Sequence, residues 1–372
     1  QRGIERYPTR NLEPVIEWFN ARGYAVAQHH VRGTGHSDGC LEQTSTLQID
    51  DTARVIEHLG TADWSTGAVG MYGHSYDAET QLSVAGRGDR DRTKYLKAIV
   101  PSASVGGQYE YSYMDGVPFA GQAALSNGGY FLSSYADTDT DDGTHFARRG
   151  ECAPEVLSNS ADLRGDMTPY WRIREYRPEA PNITAATLFV HGLVDRNVQA
   201  ITVSGFFDRL PATTPRAGLF GQWEHNYPDK HNVAATWARQ DFLPMVTAWY
   251  DQHLKGLDAG TDRWPPVQVQ GTDGQWRAEA GFPQTGGPAG QLALGPSGAL
   301  GASAPTGSTA FREGPNDTGT VSGTRAVFET PVLEAPLHLT GMPFADLWLT
   351  TDRPDGHVTA KLEVVRPDGQ LE

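Results

Sequence analysis

The sequence contains few cysteines and no long apolar run, and these absences exclude several classes of protein. Only Cys40 and Cys152 occur among its 372 residues, too few for a small scaffold held together by disulfides. No apolar segment reaches the roughly 18 residues that a membrane-spanning helix requires. We therefore expect a globular protein with no membrane partner.

Basic residues are outnumbered by acidic ones. The chain carries 30 Lys and Arg against 45 Asp and Glu, a formal net charge of −15, and no segment gathers its basic residues into a stripe. A protein that binds nucleic acid needs positive charge to meet the phosphates. The sequence therefore predicts no nucleic-acid partner.

Metal and cofactor motifs are also missing. The chain has neither a Cys-x-x-Cys nor a His-Glu-x-x-His pattern, both of which are typical of zinc sites. The Gly33-x-Gly35 pair follows an apolar run, but the third glycine of a dinucleotide-binding loop is out of register. We therefore predict no cofactor and no metal.

The two cysteines lie in polar, glycine-flanked segments rather than in apolar core segments. These surroundings favour a disulfide between Cys40 and Cys152 over two buried thiols. Because disulfides persist in oxidising compartments, we expect the protein to be secreted, while a cytoplasmic location stays open as the alternative.

Apolar runs and helical patterns alternate in the first two thirds of the chain. Residues 24–31, 68–72, 96–100, 188–190 and 219–222 are predicted buried strands, and residues 49–59 and 234–254 are predicted amphipathic helices. This alternation predicts an α/β protein with a doubly wound, mostly parallel sheet. The expected domains are an α/β domain (residues 1–107 and 182–258), a helical cap inserted into it (108–181), and a β-sandwich (262–372), incomplete in this sequence, whose strands include 336–339, 347–349 and 358–365.

The segment VGMYGHSYDA, residues 69–78, places a serine between a predicted strand and a predicted helix. A nucleophile elbow has this context, with small residues around the serine because the turn is crowded. Gly73 fits the pattern, whereas Asp77 stands where the G-x-S-x-G motif has its second glycine. A serine that follows glycine also serves commonly as a turn or cap residue, so Ser75 needs partners before it is assigned as a nucleophile.

Those partners follow in the order that a doubly wound hydrolase requires. Asp195 comes just after the predicted strand at 188–190, and His225 comes just after the one at 219–222. Active sites of open α/β sheets lie at such strand ends. Ser75, His225 and Asp195 are therefore predicted as nucleophile, general base and orienting acid. His191, His253 and Glu224 compete for these roles, but none of them fits the spacing so well.

At these positions the chain resembles the serine hydrolases that group Xaa-Pro dipeptidyl-peptidases with cocaine-esterase-like acyl esterases. The similar segments are RGYAV (22–26), VRGTGHSDG (31–39), WSTGAVGMYGHSY (64–76), HGLVD (191–195), WEH (223–225), LKGL (254–257) and FETP (328–331). The resemblance implies an α/β-hydrolase domain, a helical cap inserted before the aspartate strand, and a C-terminal jelly roll.

The resemblance also implies the oxyanion hole. The backbone N–H of Tyr76 is expected to donate one hydrogen bond to the oxyanion, as the position of this residue at the start of a helix also indicates. The second donor in the family is a tyrosine hydroxyl that follows a proline. Tyr7 precedes a proline instead, so the sequence leaves this donor open.

The substrate is expected to be a peptide or another small molecule. Cleavage after Xaa-Pro needs an anionic group for the substrate's ammonium and an apolar slot for proline, whereas a simple ester needs only the slot. The candidates for contacting substrate are an acid beside the serine and residues at the start of the cap, namely Asp77, Tyr109, Glu110, Tyr111 and Asp115. Purely structural roles are the alternative, because an acid is favourable at a helix N-terminus and tyrosines commonly pack in the core of a cap.

Three functions follow from these patterns. The leading hypothesis is a serine aminopeptidase that releases Xaa-Pro dipeptides. The alternatives are an acyl esterase or α-amino-acid ester hydrolase with the same three residues, and a catalytically silent binding protein. The sequence leaves open whether the protein forms an oligomer.

Overall fold

The computed structural model describes most of the chain outside residues 1–12 and 119–164. The described residues are 13–34, 37–114, 116–118, 165–230, 233–283, 290–296, 298–303, 306–312, 325–335, 337, 339–354, 356, 358–365, 367 and 369. By its backbone contacts the chain divides into two compact units, one formed by Gln1–Phe282 with Ala345–Glu372 and the other by Pro283–Phe344.

The first unit is built on a six-stranded sheet. Its strands are β1 (Val69–His74), β2 (Leu96–Ser102), β5 (Ala186–Gly192), β6 (Arg216–Gly221), β7 (Val267–Gln270) and β8 (Trp276–Glu279), in that spatial order. The first five run parallel, and β8 pairs antiparallel with β7. A separate pair, β3 (Tyr113–Met114) and β4 (Val117–Pro118), is antiparallel.

Helices cover both faces of this sheet, as the sequence predicts. The helices of this unit are α1 (Glu13–Asn20), α2 (Thr46–Thr61), α3 (Tyr76–Arg87), α4 (Arg90–Thr93), α5 (Gln108–Ser112), α6 (Pro169–Arg172) and α7 (Phe242–Lys255). One core cluster includes Ile49 and Ile56 of α2 with Leu82 of α3. The other joins Phe19 of α1 to Trp249 of α7. Apolar residues on two sides of one parallel sheet confirm the doubly wound α/β class.

Helix α7 begins later than predicted. The sequence suggests a helix over residues 234–254, but the structure places its first residue at Phe242. Pro244 explains the difference, because its ring clashes with the carbonyl four residues earlier and is tolerated only in the first turn. The helix ends at Gly256, whose φ of 68° closes it in the left-handed conformation.

The predicted strand at residues 24–31 is not formed. A strand needs a neighbour to hydrogen-bond its backbone, and among the described residues no strand pairs with this segment. Tyr24 packs instead in the core cluster of α1 and α7, and its hydroxyl donates to Asp251 Oδ1 at 2.7 Å.

The sheet of the α/β domain continues past residue 262, where the sequence predicts the second domain to begin. Strands β7 and β8 lie beyond that boundary and extend the same sheet. Turn-rich composition marks where strands end, but it does not say which sheet they join.

The second unit contains one short antiparallel pair among its described residues, β9 (Ala293–Leu294) with β10 (Leu300–Gly301). The runs predicted as strands at 336–339, 347–349 and 358–365 belong to no strand in the part of the chain that the structure describes. The β-sandwich therefore remains a prediction. None of the described helices is long and apolar enough to cross a bilayer.

Candidate active site

Ser75 lies at a sharp turn between strand β1 and helix α3. Its φ of 61° and ψ of −122° are unusual for a residue other than glycine, and such strain costs roughly 1–3 kcal/mol. The N–H of Ser75 donates to the Ser102 carbonyl at 2.8 Å and fixes the turn to β2. At Gly73 any Cβ would collide with Cβ of Asp77, so the approach to the serine requires glycine. This is the geometry of a nucleophile elbow.

Asp195 lies in the loop after strand β5 and is 4% exposed. Its Oδ1 accepts the backbone N–H groups of Asn197 and Val198, both at 2.8 Å. Burial alone would raise the pKa of Asp195. The hydrogen bond with His225, the charge of His225 and the hydrogen bond from the Val198 N–H together outweigh burial, so the pKa of Asp195 is lowered. The carboxylate is therefore held ionised in a fixed orientation.

His225 lies in the loop after strand β6 and joins the other two residues. Its Nδ1 is 2.7 Å from Asp195 Oδ2, and its Nε2 is 2.9 Å from Ser75 Oγ. With Nδ1–H donating to the carboxylate, Nε2 is free of its proton and can accept one from the serine. The structure thus brings together the three residues that the sequence selects, at the carboxyl ends of strands β1, β5 and β6.

The competing residues lie elsewhere. His191 is buried beneath Asp195, where its Nε2 is 2.8 Å from the Val198 carbonyl, and burial lowers its pKa. Glu224 is exposed. His253 lies in α7, beside a cavity at the opposite, amino-terminal end of strand β6.

The N–H of Tyr76 belongs to the first turn of helix α3, directly after the serine. The positive end of the helix dipole favours an oxyanion there. The Tyr76 phenol points to a different task, because it donates to Gln48 Oε1 at 2.7 Å and accepts the N–H of Thr44 at 2.9 Å. Tyr7 lies outside the described residues.

The sequence did not single out His74, which packs against the proposed base. The ring centroids of His74 and His225 are 4.4 Å apart, with the rings tilted edge to face. Burial, with help from the charge of His225, lowers the pKa of His74 to about 3. His74 therefore stays neutral and can support the imidazole without adding charge. Its position beside Ser75 was the only available signal.

The structure describes the predicted substrate-contacting residues other than Asp115. Asp77 is exposed, two residues beyond Ser75. Tyr109 donates to the Gly165 carbonyl, and Tyr111 donates to Asn197 Oδ1 at 2.9 Å, beside the aspartate loop. Glu110 forms an ion pair with Arg177. Asp115 and Cys152 lie outside the described residues, while Cys40 is disulfide-bonded.

Metal ligation finds no support in the part of the chain that the structure describes. No three His, Cys, Asp or Glu side chains there are grouped as metal ligands. The chemistry that the site can perform is acyl transfer through a serine, for which its own residues supply nucleophile, base and oxyanion donor.

Family models match both parts of the chain. Residues 4–227 match the X-Pro dipeptidyl-peptidase family, S15, and residues 259–371 match the X-Pro dipeptidyl-peptidase C-terminal non-catalytic domain. A putative Xaa-Pro dipeptidyl-peptidase of Streptomyces avermitilis is 28% identical over 384 residues, covering 94% of this chain and 53% of its own. Its counterpart in Bacillus anthracis is 28% identical, covering 74% and 46%. The chain thus spans about half the length of these relatives.

Solved structures share the fold. An α-amino acid ester hydrolase superposes with a TM-score of 0.57 at 18% identity, covering 80% of this chain and 55% of its own. An aminopeptidase from a marine sediment Thaumarchaeota archaeon gives 0.58 at 18% identity, with 80% and 54% covered. A CocE/NonD family hydrolase of Staphylococcus aureus gives 0.55 at 19%, with 73% and 45% covered. These likenesses identify an α/β-hydrolase fold.

Proposed function

Because the chain belongs to the S15 family of X-Pro dipeptidyl-peptidases, we propose that it is a serine aminopeptidase that releases Xaa-Pro dipeptides from peptides. The observation that carries the proposal is the continuous hydrogen-bonded line from Ser75 Oγ through the His225 ring to Asp195. Such a line activates a hydroxyl that is otherwise a weak nucleophile at neutral pH.

The steps follow from this geometry. Ser75 Oγ attacks the carbonyl carbon of the proline residue while its proton passes to His225 Nε2, and Asp195 stabilises the imidazolium that forms. A hydrogen bond from the Tyr76 N–H stabilises the negative charge that forms on the carbonyl oxygen. His225 then gives its proton to the leaving amine. Water, deprotonated by the same imidazole, hydrolyses the acyl-enzyme and restores the serine.

An acyl or α-amino-acid ester hydrolase is the second candidate, and the placement of Glu110 favours the acyl esterase, because an α-amino-acid ester carries an ammonium as well. A dipeptidyl-peptidase must present a carboxylate to the substrate's ammonium, yet Glu110 is already paired with Arg177, which also binds Glu175. A simple ester carries no ammonium and would need no such carboxylate, while the serine chemistry would be the same.

The deciding experiment compares two substrates, Ala-Pro-p-nitroanilide and p-nitrophenyl butyrate, with Ser75→Ala as the control. Amide turnover that is lost in the control supports the peptidase, and turnover of the ester alone supports the second candidate. Failure of a fluorophosphonate to label Ser75 would leave only the third function, a silent binding protein.

The C-terminal region and the location complete the proposal. The match of residues 259–371 to the family's C-terminal domain supports a jelly-roll β-sandwich there. If the β-sandwich forms, amide exchange in residues 347–349 and 358–365 should be slow, and fast exchange would oppose the β-sandwich.

The disulfide at Cys40 supports secretion, and detection of the protein only in the cytoplasm of its source would contradict secretion.

A further inference from the structure

A glutamate is buried one helical turn after the nucleophile. Glu79 lies in helix α3, four residues beyond Ser75, and is 2% exposed. A carboxylate in such a place is costly unless hydrogen-bond donors surround it. Nothing in the hydrolytic mechanism uses this carboxylate directly, so its presence needs another explanation.

Two of the donors to Glu79 come from segments outside helix α3. Thr44 Oγ1 donates to Glu79 Oε1 at 2.9 Å, and Gln108 Nε2 donates to Glu79 Oε2 at 2.5 Å. Thr44 belongs to the loop formed by residues 41–45, whereas Gln108 is the first residue of α5, where the cap begins. One carboxylate thus ties the nucleophile helix to this loop and to the cap.

The loop at residues 41–45 needs such support because its backbone is strained. Gln43 and Thr44 have φ values of 49° and 55°, in the left-handed region. From the cap side, Arg174 Nη2 donates to the Glu42 carbonyl at 2.6 Å. The N–H of Thr44 donates to the phenol of Tyr76 at 2.9 Å. A shift of this loop would therefore act on the residue that supplies the oxyanion donor.

We propose that Glu79 is a positioning residue of the active site, which as a carboxylate holds the loop at residues 41–45 and the start of the cap against the nucleophile helix. This inference rests on the proposed function, because it assumes a reactive Ser75. Glu79 acts through Thr44, Gln108 and Tyr76 and does not touch the substrate.

The charge of Glu79 is central to this role. Protonation of Oε1 would reverse the bond with Thr44, whose hydroxyl would accept and would donate instead to the Gln43 carbonyl at 2.7 Å. Protonation of Oε2 would place an O–H against the Gln108 donor, so that Gln108 would have to turn its amide. The Oε1 atom of Gln108 has no other partner among the described residues and could accept that proton after a turn. The carboxylate and the acid therefore hold the cap in different ways.

The surroundings of Glu79 make its carboxyl group lose or gain its proton near neutral pH. Burial raises the pKa of Glu79 to about 7, against the opposing effects of hydrogen bonds from Gln108, Thr44 and Tyr176 and the positive charge of Arg174. Tyr76, Tyr176 and Arg174 are the other titratable groups of this cluster. The Tyr76 phenol donates to Gln48, and the Tyr176 phenol donates to the Val105 carbonyl at 2.8 Å. The carboxylate is thus lost as the pH falls through about 7.

The test is Glu79→Gln in the full chain, because glutamine keeps the size of the side chain and resembles the protonated acid. The rate of Ser75 labelling by a fluorophosphonate and the kcat for p-nitrophenyl butyrate would be measured across pH. We expect the wild-type protein to exceed the variant by about 3- to 10-fold at high pH, the worth of one net hydrogen bond, and to approach it below about pH 6. A ratio that is the same at every pH would overturn the proposal, since a purely structural role gives that result.

If Glu79→Gln does not fold, a pair of variants at Thr44 tests the proposal instead. Thr44→Val removes the hydroxyl donor and should lower the labelling rate at high pH, while Thr44→Ser keeps the donor and should restore it. Equal rates for these two variants would contradict the proposal. Glu57→Gln, on the partly exposed face of α2, is the matched control and should leave the pH profile unchanged.

The outcomes separate this inference from the proposed function. Labelling of Ser75 without hydrolysis of Ala-Pro-p-nitroanilide would count against the peptidase and still test Glu79. A wild-type protein that is not labelled at any pH would overturn both.

Discussion

Asp195 orients His225, and the backbone groups around the carboxylate make the cost of removing it predictable. In Asp195→Asn the amide oxygen would still accept the N–H groups of Asn197 and Val198, so the NH₂ group would face His225 Nδ1. The imidazole would then carry its proton on Nε2 and could not accept one from Ser75. We expect kcat for p-nitrophenyl butyrate to fall by roughly 10³- to 10⁴-fold with little change in KM. Asp208→Asn, at an exposed site, is the control, and a loss below about tenfold would contradict the assigned role.

Glu79 should also leave a signature in stability. Its pKa is raised to about 7 in the folded protein, so the folded state binds a proton more tightly than the unfolded state does. The contribution of Glu79 to the free energy of unfolding is therefore fully present below the pKa that Glu79 has in the unfolded chain, and it is lost as the pH rises through about 7. Relative to Glu79→Gln, the free energy of unfolding of the wild-type protein should fall by about 3 kcal/mol over this interval. Urea unfolding at several pH values measures it, and a difference independent of pH would refute the buried carboxylate.

At the scale of elements, the turn between β1 and α3 depends on Gly73. An added Cβ would collide with Asp77 and lie 3.0 Å from Gln81 Nε2, so Gly73→Ala must displace the first turn of α3. We expect a loss of about 1–3 kcal/mol in stability and slower labelling of Ser75. Gly290→Ala, whose Cβ would meet nothing within 4 Å, is the control. Equal labelling rates for the two variants would show that the turn tolerates a side chain.

The elements that the sequence predicts well are those whose signal is local. The strand at Ala186–Gly192 is buried at every residue, and helix α2 buries Ile49, Ala53 and Ile56 on one face, so short apolar patterns are sufficient to predict both. The loops that follow strands β5 and β6 carry Asp195 and His225, which is why the amino-acid pattern alone selects the three residues of the candidate site.

Other features depend on residues that are distant in the chain. The segment at residues 24–31 has the composition of a strand but no pairing partner among the described residues. Glu79 in the sequence resembles any acid in a helix, and only the fold brings Thr44 and Gln108 to its carboxylate. Such pairings carry no local signal, so the positioning network could not be predicted from the sequence.

At the scale of the whole molecule, the disulfide is predicted to connect the loop beside the site to the predicted cap. Cys40 is disulfide-bonded and immediately precedes the strained loop at residues 41–45, while the chain's other cysteine, Cys152, lies in the predicted cap. A crosslink across so long a loop restricts the unfolded chain and contributes about 2–5 kcal/mol. Reduction should lower the free energy of unfolding by this amount and slow Ser75 labelling, because the loop loses one of its attachments.

The double variant Cys40→Ser/Cys152→Ser is the matched control for reduction. It should show the lowered stability from the outset and should not respond to reductant, so that a further loss would indicate an effect of the reductant itself. The unreduced, denatured wild-type protein should contain no free thiol, whereas a count of two would refute the disulfide. If the disulfide is present and reduction leaves labelling unchanged, the hydrogen bonds to Glu79, Arg174 and Tyr76 hold the loop without the crosslink, and the crosslink contributes only to stability.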